Sequence, residues 1–260
     1  MANLFINQAK QYAESRPCYP DQLFQFISSM TPSHDLAWDV GTGSGQAARS
    51  LAKIYKNVVA TDTSPTQLEN AIKLPNIRYQ HTPPIMSMAE LEEKVAAESS
   101  VDLVTVAQAL HWFDLPKFYE QVKWVLKKPN GVFAAWLYTL PEVNNAVDDL
   151  IRRFYDNPHR DPRRLLVDDK YSSVDFPFEA VERAGSTGPF EFVTERVMEY
   201  DEYMTYLTTT SVYQKAKDNG TELLTADMVE DFRRAWNGDG GSGQKVVKFP
   251  IYLKIGRVGK

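Results

Sequence analysis

Cysteine is nearly absent: Cys18 is alone among 260 residues. One thiol closes no internal disulfide and builds no cysteine-based zinc site, which points to a reducing compartment. Histidine is scarce too, with four residues at positions 34, 81, 111 and 159 and no paired spacing of the kind metal sites use. No metal centre is expected. No apolar run approaches the roughly 18 residues of a membrane span, and the opening stretch lacks the apolar core of a signal peptide. Ala2 excludes N-myristoylation, and the final Gly256–Lys260 carries no lipidation signal. An excess of positive charge is also missing. Against 29 Lys and Arg stand 34 Asp and Glu, a formal net charge of −5, which matches a phosphate backbone poorly. The expectation is a soluble cytoplasmic protein, with neither nucleic acid nor membrane as partner. Oligomeric state leaves no mark on the sequence.

With 43% hydrophobic and 24% charged residues, the composition is that of an ordinary globular chain. There is no repeat, and the first half alternates. Leu36–Val40 reads as a strand that runs into Gly41-Thr42-Gly43-Ser44-Gly45. The segment after it places Ala47, Ala48, Leu51, Ala52 and Ile54 at helical spacing. A second strand ends at Asp62, followed by a helix with Ser64 as N-cap and Pro65 at its first position. Strands over 77–81, 101–110 and 131–138 alternate with helices over 88–98 and 115–128. This pattern predicts an α/β fold of Rossmann-like type, a mostly parallel sheet with helices on both faces.

After Tyr138 the rhythm changes. Residues 139–185 read as a helical insertion, a lid over the site. A strand over 191–200, one helix over 201–218, a Thr225-capped helix and a flexible loop over 237–244 follow. The alternating 246–258 closes the chain, pairing antiparallel with the strand near Glu191. Pro250 within it suggests an edge position or a bulge. No linker divides the chain, so 1–260 reads as a single domain, with 1–30 as an N-terminal lid segment.

The strongest local signal is the glycine-rich loop between strand and helix. Its glycines permit a tight turn and close approach of a ligand to the main chain, and the helix start offers free N–H groups. Dinucleotides and S-adenosylmethionine both use such a loop. A dinucleotide fingerprint wants its third glycine where Gln46 stands, and no phosphate-binding Gly-Lys-Ser/Thr is present. Asp39, two residues before Gly41, suits a ligand carrying an amino group. Asp62 lies 21 residues after Gly41 (62 − 41), where a carboxylate can accept both hydroxyls of a ribose. Gln108, His111, Trp112 and Phe113 follow the fourth strand and fall near the crevice beyond the strand ends. Aromatic rings there can flank a sulfonium. His111 is either a general base or a residue packed under the lid. Trp136 and Tyr138 either line a substrate pocket or fill core. Arg152, Arg153, Arg160, Arg163 and Arg164 form a basic patch, which reads as a solvated face balanced by nearby aspartates rather than a carboxylate site.

The segments Phe5–Pro20, Asp39–Ala52, Val58–Ala71, Ala107–Tyr138 and Phe249–Val258 together resemble the class I S-adenosylmethionine-dependent methyltransferases. More narrowly, they resemble the plant embryo-abundant-protein type, related to the trans-aconitate methyltransferases. The resemblance spans essentially the whole chain. It implies a seven-stranded sheet with its last strand antiparallel. It implies a cosubstrate held by Gly41, Thr42, Gly43 and Gly45, by Asp62 and Thr63, and by backbone near Ala107 and Gln108. Tyr12 and Arg16 would fold over it, with Arg16 facing its carboxylate. The acid that many members carry after the third strand is missing here. Gln80-His81-Thr82-Pro83-Pro84-Ile85 stands there instead, leaving Ile85 and backbone to hold adenine. The implied reaction is methyl transfer to a small-molecule carboxylate, hydroxyl or amine. The alternatives are a nicotinamide-dependent oxidoreductase and a non-catalytic cosubstrate-binding protein.

Overall fold

A computed structural model describes residues 16–238 and 243–259. Tyr12 and residues 239–242 of the 237–244 loop lie outside the described residues. The parallel part of the sheet comprises β1 (Leu36–Val40), β2 (Asn57–Asp62), β3 (Ile77–His81), β4 (Leu103–Ala107) and β5 (Val132–Tyr138). Two long strands complete it, β6 (Phe190–Glu199) and β7 (Gln244–Arg257). The order is β3-β2-β1-β4-β5-β7-β6. β7 runs antiparallel to both neighbours and the other pairs are parallel, so six strands point one way. This is the expected Rossmann-like sheet with its last strand reversed.

The first helices are α1 (Asp21–Met30), α2 (Gln46–Leu51), α3 (Pro65–Glu69), α4 (Met88–Lys94) and α5 (Leu115–Val125). Local chemistry starts several of them. Ser64 accepts from the Gln67 N–H with Pro65 at the first position of α3, and Ser87 and Glu90 cap α4 reciprocally. Strand side chains alternate between two cores. Ala37, Leu103 and Trp136 join Leu23 and Phe24 of α1 on one face. Trp38, Val104 and Phe133 join Phe118 and Val122 of α5 on the other. Both faces being covered explains why all seven residues of β5 are buried and apolar.

Between β5 and β6 lie α6 (Asn145–Tyr155) and α7 (Arg164–Asp168). Between β6 and β7 lie α8 (Tyr200–Thr208), α9 (Ser211–Asp218) and α10 (Ala226–Asn237). The single helix expected over 201–218 is therefore two. Three successive threonines, 208–210, are poor helix formers. The Thr209 and Thr210 hydroxyls bond back to the carbonyls of Tyr206 and Leu207, competing with the helical ladder.

Pro250 does not mark an edge. β7 is interior and β6 is the edge strand. The Pro250 carbonyl accepts from Thr139, just past the end of β5. In an antiparallel pair a residue's N–H and C=O point the same way. The missing N–H therefore faces the end of β5, where no strand partner needs it.

Chain order reverses beside β1, with β2 and β3 on one side and β4 and β5 on the other. Such a switch point leaves a crevice beyond the carboxyl ends of the strands.

Candidate functional site

A cavity of about 780 Å³ opens at that crevice. Its first wall is the loop after β1. Gly41 adopts φ +65°, and a Cβ there would sit 2.9 Å from the Ala109 Cβ. The Thr42 N–H bonds to the Thr61 carbonyl at 3.0 Å, pinning the loop to β2. Gly41 and Gly43 line the cavity, whereas Thr42 and Gly45 do not. Gly45, at φ +82°, turns the chain into α2 and lies against the Tyr79 hydroxyl.

Asp39 is also displaced from its expected role. It is 0% exposed and absent from the cavity wall. Its two oxygens accept from Thr42 Oγ1 at 2.5 Å and Thr105 Oγ1 at 2.7 Å. Burial pushes its pKa up to about 6, against the pull of those two hydroxyls. In this arrangement it braces the loop from beneath, through Thr42.

Asp62 does reach the wall. One oxygen accepts from the Gly43 N–H at 2.7 Å and the other from the Ser64 N–H at 2.8 Å. Each carboxylate oxygen has a second lone pair, so the group is fixed and still able to accept from a diol. Burial raises its pKa, and the backbone donors act against that. Thr63, Pro83, Pro84, Ile85 and Met86 continue the wall as a largely apolar slot. Ile85 is 64% exposed.

Ala107 and Gln108 form the floor beyond β4. Gln108 leaves the strand at φ +58° and donates from Nε2 to the Tyr138 carbonyl at 3.1 Å. A short 3₁₀ turn, Leu110–Trp112, follows and presents His111, Trp112 and Phe113 to the cavity. Phe113 stacks on Phe118 at 4.4 Å between centroids. The Arg163 guanidinium lies over Trp112 at 4.2 Å. His111 Nδ1 is 2.8 Å from the Tyr171 hydroxyl. Burial, then the charges of Arg164 and Arg163, push the His111 pKa down to about 4, so the ring is neutral at physiological pH.

Arg16 reaches the cavity from the N-terminal side. It donates to the Tyr138 hydroxyl at 2.8 Å and to the Thr209 carbonyl at 2.7 Å. Tyr138 lines the cavity, but Trp136 does not. Trp136 is 0% exposed, edge-on to Tyr19 at 5.3 Å and Phe24 at 5.9 Å. It is a core residue, and its expected place in a substrate pocket is withdrawn.

The structure adds residues that the sequence did not mark. Tyr155, Arg164, Tyr206, Thr210 and Ser211 also line the cavity. Arg164 had been counted in a solvated basic face. Arg152, Arg160 and Arg163 do pair with Asp149, Asp168 and Asp161. Arg164 pairs with Asp168 as well, at 3.3 Å, and also lines the cavity. Among the described residues, no cluster of three or more His, Cys, Asp or Glu is placed to hold a metal ion. No described helix is long and apolar enough to cross a membrane.

The family description "Methyltransferase domain" matches residues 38–135, the stretch from β1 to β5 that carries the loop, Asp62 and His111. A Dictyostelium discoideum protein described as a methyltransferase is 32% identical over 261 residues, covering 97% of this chain and 94% of that one. A Saccharomyces cerevisiae protein described as an S-adenosylmethionine-dependent methyltransferase is 31% identical over 143 residues, 52% of this chain and 47% of its own length. A solved structure from Anaeromyxobacter dehalogenans, described as a type II methyltransferase, superposes with a TM-score of 0.77. It is 30% identical and covers 94% of this chain and 98% of that one.

Proposed function

The chain belongs to the class I S-adenosylmethionine-dependent methyltransferases, and from that premise we propose that it methylates a small-molecule acceptor bound at the His111–Arg164 end of the cavity. The observation that carries this reading is the cavity itself. At about 780 Å³ it lies within the range of small-molecule sites. One end is built from Gly41, Gly43 and Asp62, the other from His111, Trp112, Tyr138 and Arg164.

The residues fit the cosubstrate. A Cβ on Gly43 would meet nothing within 4 Å, so the loop leaves open space there. Asp62 keeps acceptor capacity for a ribose, and Pro83, Pro84 and Ile85 offer an apolar slot to a base. Thr63, Ala107 and Gln108 lie between these and the acceptor end. When bound, S-adenosylmethionine supplies a methyl group on a sulfonium, open to in-line displacement. The protein's contribution is to bring two partners together and exclude water. Residues 139–185, through Tyr155 and Arg164, serve as a lid, and Arg16 closes the N-terminal side.

Among carboxylate, hydroxyl and amine acceptors, a carboxylate suits this site best. The Arg164 guanidinium stands in its wall. Guanidinium forks match carboxylates and repel protonated amines. A narrower kinship with the plant embryo-abundant-protein type rests on Arg16–Pro20 and Ala107–Tyr119.

The test is calorimetric binding of S-adenosylhomocysteine, with NAD as control, followed by labelled-methyl transfer to a panel of acids, phenols and amines. Asp62→Ala removes a charged hydrogen-bond acceptor worth about 1.5–3 kcal/mol per bond, so binding should weaken roughly 10- to 150-fold. Binding of NAD in place of S-adenosylhomocysteine would reject the reading. Tight binding with no transfer to any acceptor class would favour the non-catalytic alternative.

A further inference from the structure

We infer that Tyr171 is a positioning residue that fixes His111 as a hydrogen-bond donor through Nε2–H, so that His111 orients the acceptor rather than removing its proton. The inference rests on reading the His111 end as the acceptor site, and it goes beyond that reading in giving the imidazole a definite tautomer and role.

The argument begins at the 3₁₀ turn Leu110–Trp112. His111 Nδ1 is 2.8 Å from the Tyr171 hydroxyl, which is 0% exposed and has no other hydrogen-bond partner among the described residues. A tyrosine hydroxyl has one proton. Were it to accept from Nδ1–H, that proton would be buried without an acceptor, which costs more than an unused lone pair, so the proton is donated to Nδ1. A neutral imidazole that accepts at Nδ1 carries its own hydrogen on Nε2. His111 makes no hydrogen bond through Nε2 among the described residues, and its ring lines the cavity. The N–H is thus left for a ligand.

The surrounding structure maintains this arrangement at a cost. Tyr171 is 0% exposed. Lys170 and Tyr171 adopt φ +63° and +58°, a left-handed pair that is uncommon for non-glycine residues. The buried Lys254 ammonium of β7 holds this turn, donating to the carbonyls of Tyr171 at 3.2 Å and Val174 at 3.1 Å. A strained turn and a buried lysine both serve to deliver one hydroxyl to one imidazole nitrogen. The charged and titratable groups around His111 are Arg163, Arg164, Asp161, Arg160, Tyr155 and Tyr171. The nearest charges, Arg164 and Arg163, oppose its protonation.

The consequence concerns substrate class. An Nε2–H cannot take the acceptor's proton, so this end of the cavity favours an acceptor that arrives without one to lose. A carboxylate meets that condition at neutral pH, whereas a phenol or an ammonium group does not. Arg164, on the same wall, supplies the complementary charge.

Two-bond proton–nitrogen correlation spectra of the intact protein, labelled with ¹⁵N-histidine, read the tautomer directly without any acceptor. His111→Gln identifies the signal among the four histidines. The expected result is an unprotonated Nδ1 and a protonated Nε2 that persist from about pH 5 to pH 8. In Tyr171→Phe the tautomer ratio should move toward Nδ1–H by roughly three- to tenfold, the size of one net hydrogen bond. An Nδ1–H tautomer in the unsubstituted protein, an imidazolium titrating near neutrality, or a ratio unmoved in Tyr171→Phe would each overturn the inference. S-adenosylhomocysteine calorimetry on the same samples reads the cosubstrate end separately. Failure there with Nε2–H intact counts against the proposed activity while leaving the tautomer assignment standing.

Discussion

Replacing Asp39 with asparagine should stabilise the protein at neutral pH, and less so in acid. The Asp39 carboxyl is fully buried under the glycine loop, and its folded pKa is raised from 3.8 to about 6. Between those values the folded state holds a proton that the unfolded chain releases. Stability from this group therefore falls as pH rises through the window. Below pH 3.8 both states are protonated and there is no penalty; above about 6 both are ionised and the penalty is complete. Integrating gives a penalty of about 1 kcal/mol at pH 4.5 and about 3 kcal/mol at pH 7.5. Asparagine, with the same shape and no charge, should gain about 2 kcal/mol between the two pH values relative to aspartate. For a chain of this size that corresponds to a difference of roughly 4–8 °C in melting temperature. The difference between two pH values matters more than either one, because it cancels the cost of presenting an amide to the Thr42 and Thr105 hydroxyls. Thermal unfolding of both proteins across pH 4 to 8 measures it. A gap that stays constant with pH, or widens in acid, would show that Asp39 is not buried as an anion beneath the loop.

Two further substitutions test the corrected site assignments. Trp136→Ala should lower unfolding free energy by about 3–5 kcal/mol, as large-to-small core changes do. The folded fraction should still bind S-adenosylhomocysteine with affinity within about twofold, since no cavity contact is lost. Gly45→Ala should destabilise by more than about 1 kcal/mol, because the residue sits at positive φ and its new methyl meets the Tyr79 hydroxyl. Tyr79→Phe should recover part of that loss, giving a coupling of about 0.5–1 kcal/mol in a double-mutant cycle read by urea unfolding.

The parallel sheet and the glycine-loop end of the cavity were legible because they depend on local rules. Apolar β-branched runs become buried strands wherever both faces are covered. Glycines at a strand–helix junction mark a turn through left-handed conformations, and Asp62 follows at the end of the neighbouring strand. The break at Thr208–Thr210 was legible in principle from three consecutive β-branched residues, but the hydrophobic spacing on either side concealed it. The acceptor end had no such signature. It is assembled from Tyr138, Tyr155, Arg164 and Tyr206, which lie on four elements of the second half. Within its own segment Arg164 reads like Arg160 and Arg163, and like them it pairs with an aspartate; its place on the cavity wall has no mark in the sequence.

Trp136 and Asp39 show a different limit, one of depth along a strand rather than of face. Trp136 and Tyr138 share a face of β5 and lie two residues apart, roughly 6.6 Å along the strand. Tyr138 reaches the crevice, while Trp136 is still beneath α1, against Tyr19 and Phe24. Asp39 precedes Gly41 by the same two residues and is flanked by Ala60 and Thr105. Alternation along a strand tells which face a side chain takes, because its period is a property of the backbone. Where the covering layer ends is a property of the neighbouring elements. The last residue under cover and the first in the open can therefore be one pleat apart with nothing in their own segment to separate them. At this crevice that single step distinguishes a buried carboxylate from one on the cavity wall, and a core indole from a phenol that lines the cavity.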